Sequence, residues 1–247
     1  MVDAGAREGW KLVWSDEFNY SGAPDPSTWV YEQGFIRNEE LQYYTFRGEN
    51  VRVESGMLVI EIRKERYPNA AYRAGPQDWI HTREFADVTS GSITTQGTAQ
   101  WKYGRVEVWA KDPSCKGTWS AIWMQGNSIH TEGWPSCGEI DIMEHVGFDP
   151  DIIYATVHTG DYNHTKNNPR GSSLVPAKPH EAFYAYGAEW DRSRIDFFVD
   201  DTVYFTAVND GVGHGPWPFD GEHFLLLNAA FGGGWGGREG VDMDALP

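Results

Sequence analysis

The chain has 247 residues, a formal net charge of −16, 40% hydrophobic residues and 23% charged residues. That balance is globular rather than disordered, and the length suits one large all-β domain or two small ones. So acidic a surface repels nucleic-acid phosphates, anionic membranes and sulfated polysaccharides, whereas a neutral ligand meets no such penalty.

Twelve Trp, twelve Tyr and twelve Phe make up 15% of the chain. Flat, electron-rich rings suit the C–H faces of pyranose sugars, although core packing is the other use of any one of them. The two cysteines, Cys115 and Cys137, allow at most one disulfide. No apolar run reaches the ~18 residues of a membrane span. The sequence shows no signal peptide, and Met1-Val2-Asp3 reads as an initiator methionine on a trimmed mature chain.

Residues 25–29 (Asp-Pro-Ser-Thr-Trp) have the composition of a single helical turn. Period-two runs follow at 57–63, 104–110, 118–124, 154–158, 194–199 and 224–228, with turns at 54–56 and 200–201. Glycines and prolines punctuate the chain without forming a linker, so a single domain built as a β-sandwich or barrel is expected. In 105–110, Val106, Val108 and Ala110 share one face, and Arg105, Glu107 and Trp109 the other. In 118–124, Trp119, Ala121 and Trp123 oppose Ile122 and Met124. The aromatic and charged faces read as the lining of a sugar cleft. The alternative is that Trp119 and Trp123 form the core face.

The chemical centre is 138–147 (Gly-Glu-Ile-Asp-Ile-Met-Glu-His-Val-Gly). Glu139 and Asp141 alternate with Ile140 and Ile142, and carboxylates on an apolar strand are expensive to hold without a use. Retaining glycoside cleavage needs two carboxyl groups ~5–5.5 Å apart, one ionised and one protonated. Glu139 and Glu144 are separated by an odd number of steps, which puts them on opposite faces of a regular strand. A β-bulge near Met143 would return Glu144 to the face of Glu139. Asp141 between them is expected to hydrogen-bond Glu139 and to help keep a proton on the cluster. The same acids also fit a calcium site or a solvated edge; without a His at ligand spacing they are a poor zinc pattern.

At these residues the chain resembles glycoside hydrolase family 16, in particular its laminarinase-like β-glucanases, whose signature Glu-x-Asp-x-x-Glu matches 139–144. Blocks at 16–18, 38–45, 103–108, 117–124, 155–158 and 227–233 carry the resemblance in order along most of the chain. It implies a β-jelly-roll sandwich of two antiparallel sheets with a concave substrate cleft. It implies a secreted, cell-surface or periplasmic endo-hydrolase of neutral β-glucan, monomeric and needing no cofactor for catalysis. The β-1,3-linked laminarin type is the leading substrate, mixed β-1,3/1,4-glucan the alternative and a non-catalytic glucan-binding module the rival. Glu139 matches the nucleophile and Glu144 the acid/base, with Asp141 between them. Asn38, Trp101, Tyr103, Trp119, Trp123, His158 and Asn228 match substrate contacts. Glu17 and the backbone of Gly56 match two ligands of a structural calcium found in some members. His145 carries no functional expectation. Relatives continue into a further strand beyond residue 247, so a single catalytic domain, 1–247, without that strand is expected. Ser92 stands where many relatives carry a basic residue.

Overall fold

A computed structural model describes residues 9–75, 78–176, 178–211 and 213–247. The expected trimmed start at Met1–Asp3 lies outside the described residues. Sixteen strands follow in chain order: β1 (Val30–Tyr31), β2 (Gln42–Tyr44), β3 (Val51–Glu54), β4 (Met57–Ile60), β5 (Arg63–Pro68), β6 (Phe85–Ser90), β7 (Ser92–Thr94) and β8 (Gly104–Ala110), then β9 (Thr118–Gly126), β10 (Glu139–Val146), β11 (Ile153–His158), β12 (Arg170–Leu174), β13 (Tyr184–Trp190), β14 (Arg194–Val199), β15 (Thr202–Val208) and β16 (His223–Phe231). The period-two run at 57–63 is broken between β4 and β5, which belong to different sheets. At Asp25 the expected turn forms, with the Thr28 and Trp29 amides donating to the Asp25 carbonyl at 3.0 and 2.8 Å.

Two antiparallel sheets dominate. One has seven strands in the order β1-β7-β16-β9-β10-β11-β12, and the other four in the order β15-β14-β13-β8. A small third sheet, β2-β6-β5, contains a parallel pair, β2 with β6, and β3-β4 is a hairpin. The main core lies between the large sheets. Ile122, Met124, Ile140, Ile142 and Met143 come from the seven-stranded sheet, and Tyr186, Ala188, Ile195 and Phe197 from the other. Alternation sends these side chains inward, so the opposite face of β9, β10 and β16 is free to build a cleft.

Strand β8 corrects one expectation. It pairs with β13 in the four-stranded sheet, with Trp109 opposite Ala185 and Arg105 opposite Glu189. Its face of Arg105, Glu107 and Trp109 is therefore the outer surface of the sandwich, not the cleft. Alternation reveals which residues share a face; it does not reveal which sheet the strand joins. Cys115 and Cys137 are both free thiols.

Candidate active site

Strand β10 runs through the middle of the seven-stranded sheet, between β9 and β11. Gly138 launches it at φ +84°, where a side chain would be strained and a Cβ would lie 2.7 Å from Pro218. Pairing with β9 is regular from Glu139 opposite Gln125 to Asp141 opposite Trp123, then shifts, and Met143 opposes Ile122 and Glu144 opposes Ala121. The extra residue is a bulge: consecutive Ile142 and Met143 both enter the core, each 1% exposed. The β9 partners of Glu139 and Glu144, Gln125 and Ala121, are four residues apart, an even step. Both glutamates therefore share the cleft face with Asp141. His145 falls on the core side, fully buried, with Nε2 3.0 Å from the Pro150 carbonyl.

Each glutamate has an indole partner. Trp119 Nε1 donates to Glu144 Oε1 at 3.0 Å, and Trp134 Nε1 donates to Glu139 Oε2 at 3.1 Å. His158, opposite Glu139 on β11, brings Nε2 to 3.4 Å from Asp141 Oδ2 and 3.9 Å from Glu139 Oε1. Burial, reinforced by His164, pushes His158 down to about 4, so at neutral pH these are contacts of an uncharged imidazole rather than ion pairs. Asp141 Oδ2 is buried without a hydrogen-bond partner, so this oxygen meets His158 rather than Glu139. Donor atoms of Glu139, Asp141 and His158 lie within 4.8 Å of one another, a proximity that sequence spacing does not reveal.

Burial raises all three carboxyls. It is the largest cause for Glu139, pushed up to about 8 with help from the Glu144 charge and opposed by Arg37 and the Trp134 donor. It pushes Glu144 up to about 7 against the Trp119 donor, and holds Asp141 well above the usual carboxylate range. Because the groups interact, the three carboxyls titrate as one cluster, and burial favours keeping protons on it near neutrality. One ionised and one protonated carboxyl is the state retaining cleavage starts from. Activity that needs a proton on Glu144 is lost as pH rises through its value. Replacing Trp119 by Phe removes a donor that favours the ionised form, so the alkaline limb of the pH–rate profile is expected to move to higher pH. An unmoved limb would separate Trp119 from the titrating group.

The remaining expected contacts divide. Trp123 donates to Asn228 Oδ1 at 2.8 Å, and Asn228 Nδ2 to Tyr44 Oη at 3.1 Å, so both lie on the cleft side of the sheet. Asn38 stands at the rim, exposed, its amide 3.2 Å from Glu40 Oε1. Trp101 and Tyr103 are half-buried and pack against the inter-sheet core, Trp101 edge-on to Trp14 at 5.2 Å, while Tyr103 Oη reaches Asp220 at 2.5 Å. Glu17 is exposed, and Gly56 occupies the β3–β4 turn at φ +76°.

Sequence reasoning missed Trp134, His164, Tyr154 and Trp235. Trp134 lies in the turn just before β10, where the Cys137 amide donates to the Gly133 carbonyl at 2.9 Å. Its ring lies 4.9 Å from His164 and 5.9 Å from His158. Trp235 stands edge-on between Trp119 at 5.5 Å and Tyr154 at 5.0 Å, forming a wall on the Glu144 side. A tryptophan set among glycines, Gly232–Gly234 and Gly236–Gly237, was the available signal.

Residues 38–244 match the family model for glycosyl hydrolases family 16. The chain belongs to that family. A β-glucanase from Rhodothermus marinus is 44% identical over 248 residues, covering 96% of this chain and 81% of that protein. The solved laminarinase from R. marinus superposes with a TM-score of 0.85 at 42% identity, covering 96% of this chain and 92% of the other. A family 16 enzyme described as a non-specific endo-β-1,3(4)-glucanase, solved with 1,3-β-D-cellobiosyl-glucose at its active site, gives 0.86 at 44% identity, covering 98% and 92%. The chain is thus a glycoside hydrolase, and its fold is the expected jelly-roll sandwich.

Proposed function

We propose that the protein is a retaining endo-hydrolase of β-1,3-glucan. The observation that carries this reading is the bulge at Ile142–Met143, which sets Glu139 and Glu144 on one face, each under an indole N–H. In the first step a Glu139 oxygen attacks the anomeric carbon, the bond from that carbon to the glycosidic oxygen breaks, and Glu144 gives its proton to the departing oxygen. In the second step Glu144 takes a proton from water, the water oxygen bonds to the anomeric carbon, and Glu139 is released. Asp141 and neutral His158 line the nucleophile and limit how much charge the cluster carries.

The test is the product pattern from laminarin, mixed-linkage β-glucan and agarose, with the anomer formed first read by NMR. Early release of a β-configured ladder from laminarin is expected. An α-configured first product would overturn the retaining mechanism, and inert laminarin the substrate. A second reading, cleavage of mixed-linkage glucan as well, draws support from the similarity to the non-specific β-1,3(4)-glucanase. A purely binding role fits poorly with three buried carboxyls, whose desolvation a binding module has no reason to sustain.

Three further properties belong to the same reading. A polymeric substrate cannot enter a cell, so the enzyme acts outside it, which fractionation of producing cells checks. The enzyme is also read as a monomer; light scattering checks this. A structural calcium on Glu17 and the Gly56 carbonyl is the third. These are two oxygens of the six to eight that calcium takes, and catalysis does not run through them. Calcium is expected to raise the melting temperature of chelator-treated protein; an unchanged melt removes the site. Among the described residues no helix is long and apolar enough to cross a membrane.

A further inference from the structure

Trp123 lies on the cleft face directly across from Asp141, where an aromatic ring would be expected to stack against a sugar. Its side is nevertheless closed. The residue is only 6% exposed, and the Arg37 guanidinium carbon lies 5.1 Å from the centre of its ring. A cation held over an indole is a stable arrangement in itself. Here it is also clamped from the other end: Arg37 Nη2 pairs with Glu32 Oε1, and Glu32 Oε2 accepts the Ser92 hydroxyl at 2.6 Å.

The loop that delivers Arg37 is equally fixed. Asn38 and Glu39 are both left-handed, at φ 58° and 53°, and the Glu40 amide closes the turn on the Arg37 carbonyl at 3.2 Å. Glu40 then bridges to Gly232. With its Nη2 committed to Glu32, the guanidinium still has one donor nitrogen, Nη1, that is buried and without a hydrogen-bond partner. A guanidinium donates and never accepts, and the Arg37 side chain as a whole is 23% exposed, so a small turn of the guanidinium would carry this unspent N–H to an oxygen of a ligand.

We propose that Arg37, not Trp123, is the surface that a glucose unit meets beside Asp141, with Nη1 donating to a sugar hydroxyl and Trp123 acting as the support beneath. The proposal rests on the β-1,3-glucan reading and deepens it by naming a residue that grips the chain. Ser92 belongs to the same device, since its hydroxyl helps hold the carboxylate that orients the guanidinium. Lysine cannot replace the arginine: its single ammonium, drawn to Glu32, has no second nitrogen to offer the sugar.

The experiment is calorimetric titration with laminaritetraose in a Glu139→Ser background, comparing Arg37 with Arg37→Met and Arg37→Lys. Loss of one charge-assisted hydrogen bond is expected to weaken binding by about tenfold in both variants. The lysine variant keeps the charge and the long stem, so it reports on binding even if the methionine variant folds poorly. Binding by Arg37→Lys within twofold of the parent (roughly the reach of one neutral contact) would overturn the proposal. Wild-type turnover of laminarin in the same preparation separates the two readings. Turnover with unaffected binding sinks the Arg37 assignment alone, and absent turnover sinks the β-1,3-glucan reading together with this one.

Discussion

Replacing Glu139 by serine is expected to lower laminarin turnover by roughly four orders of magnitude or more while leaving glucan binding intact. The more decisive result comes on adding azide to an activated glucoside substrate. In Glu139→Ser, azide enters from the face that the carboxylate has vacated and gives the α-glycosyl azide, one inversion replacing two. In Glu144→Ala, Glu139 still forms the covalent intermediate and azide displaces it, giving the β-glycosyl azide. The two products assign the two glutamates independently of rate. The same azide anomer from both variants, or near-normal turnover by Glu139→Ser, would overturn the roles assigned to them. Trp134 should remain in place in the serine variant, since its turn is held by backbone bonds rather than by Glu139.

Inserting one alanine after Met143 is expected to be the most damaging single change to strand β10. With the bulge kept, the alanine takes the place opposite Ala121, and Glu144 moves to the position opposite Ser120 that His145 now fills. That position lies on the core side, where His145 is fully buried. A carboxyl placed there without a partner should cost at least about 3 kcal/mol, and activity should be lost even in molecules that fold. Deleting Met143 instead makes the step from Glu139 even, with Ile142 opposite Ile122 and Glu144 still opposite Ala121, so its cost is a lost core side chain and not the face of Glu144. Met143→Leu keeps the residue count and a similar volume, so it should stay folded and active, losing under about 1.5 kcal/mol. Urea denaturation and laminarin turnover on the insertion and Met143→Leu variants check this. An active insertion variant would show that the register after the bulge does not set the geometry of the site.

The sequence carried much of this arrangement because its informative part is local. Glu139, Ile140, Asp141 and Ile142 alternate as a strand with one apolar face, and the odd step to Glu144 makes sense only with an inserted residue, which the structure places at Ile142–Met143. Trp119 was legible on the same grounds, and the orientation of β9 came out as its alternation implies. Long-range facts were not legible. Nothing in residues 104–110 says that β8 joins the four-stranded sheet, which is why the face bearing Trp109 reads like a cleft when it is the outer surface. Trp101 and Tyr103 are half-buried against the inter-sheet core, and alternation does not say which use such a ring has, because core and sugar select the same rings. Trp134 and Trp235 reach the site from turns whose course is set by backbone bonds rather than by any period in the sequence. Arg37 was invisible for a related reason, since its partners Glu32, Ser92 and Trp123 come from separate stretches of chain.

The two indoles that serve the glutamates differ in what carries them. Trp119 is part of β9, hydrogen-bonded on both sides, to β16 and to β10. Trp134 rides on the short connection between Gly133 and Gly138, closed by two backbone bonds of its own. Connections of this kind open at a lower free energy than central strands do. As the temperature rises, the nucleophile therefore loses its donor while the acid/base still has its own and the sandwich is still folded. Heat should inactivate this enzyme several degrees before it melts (the span one ~1 kcal/mol difference covers in a domain of this size), and comparing residual activity with the calorimetric transition would reveal that gap.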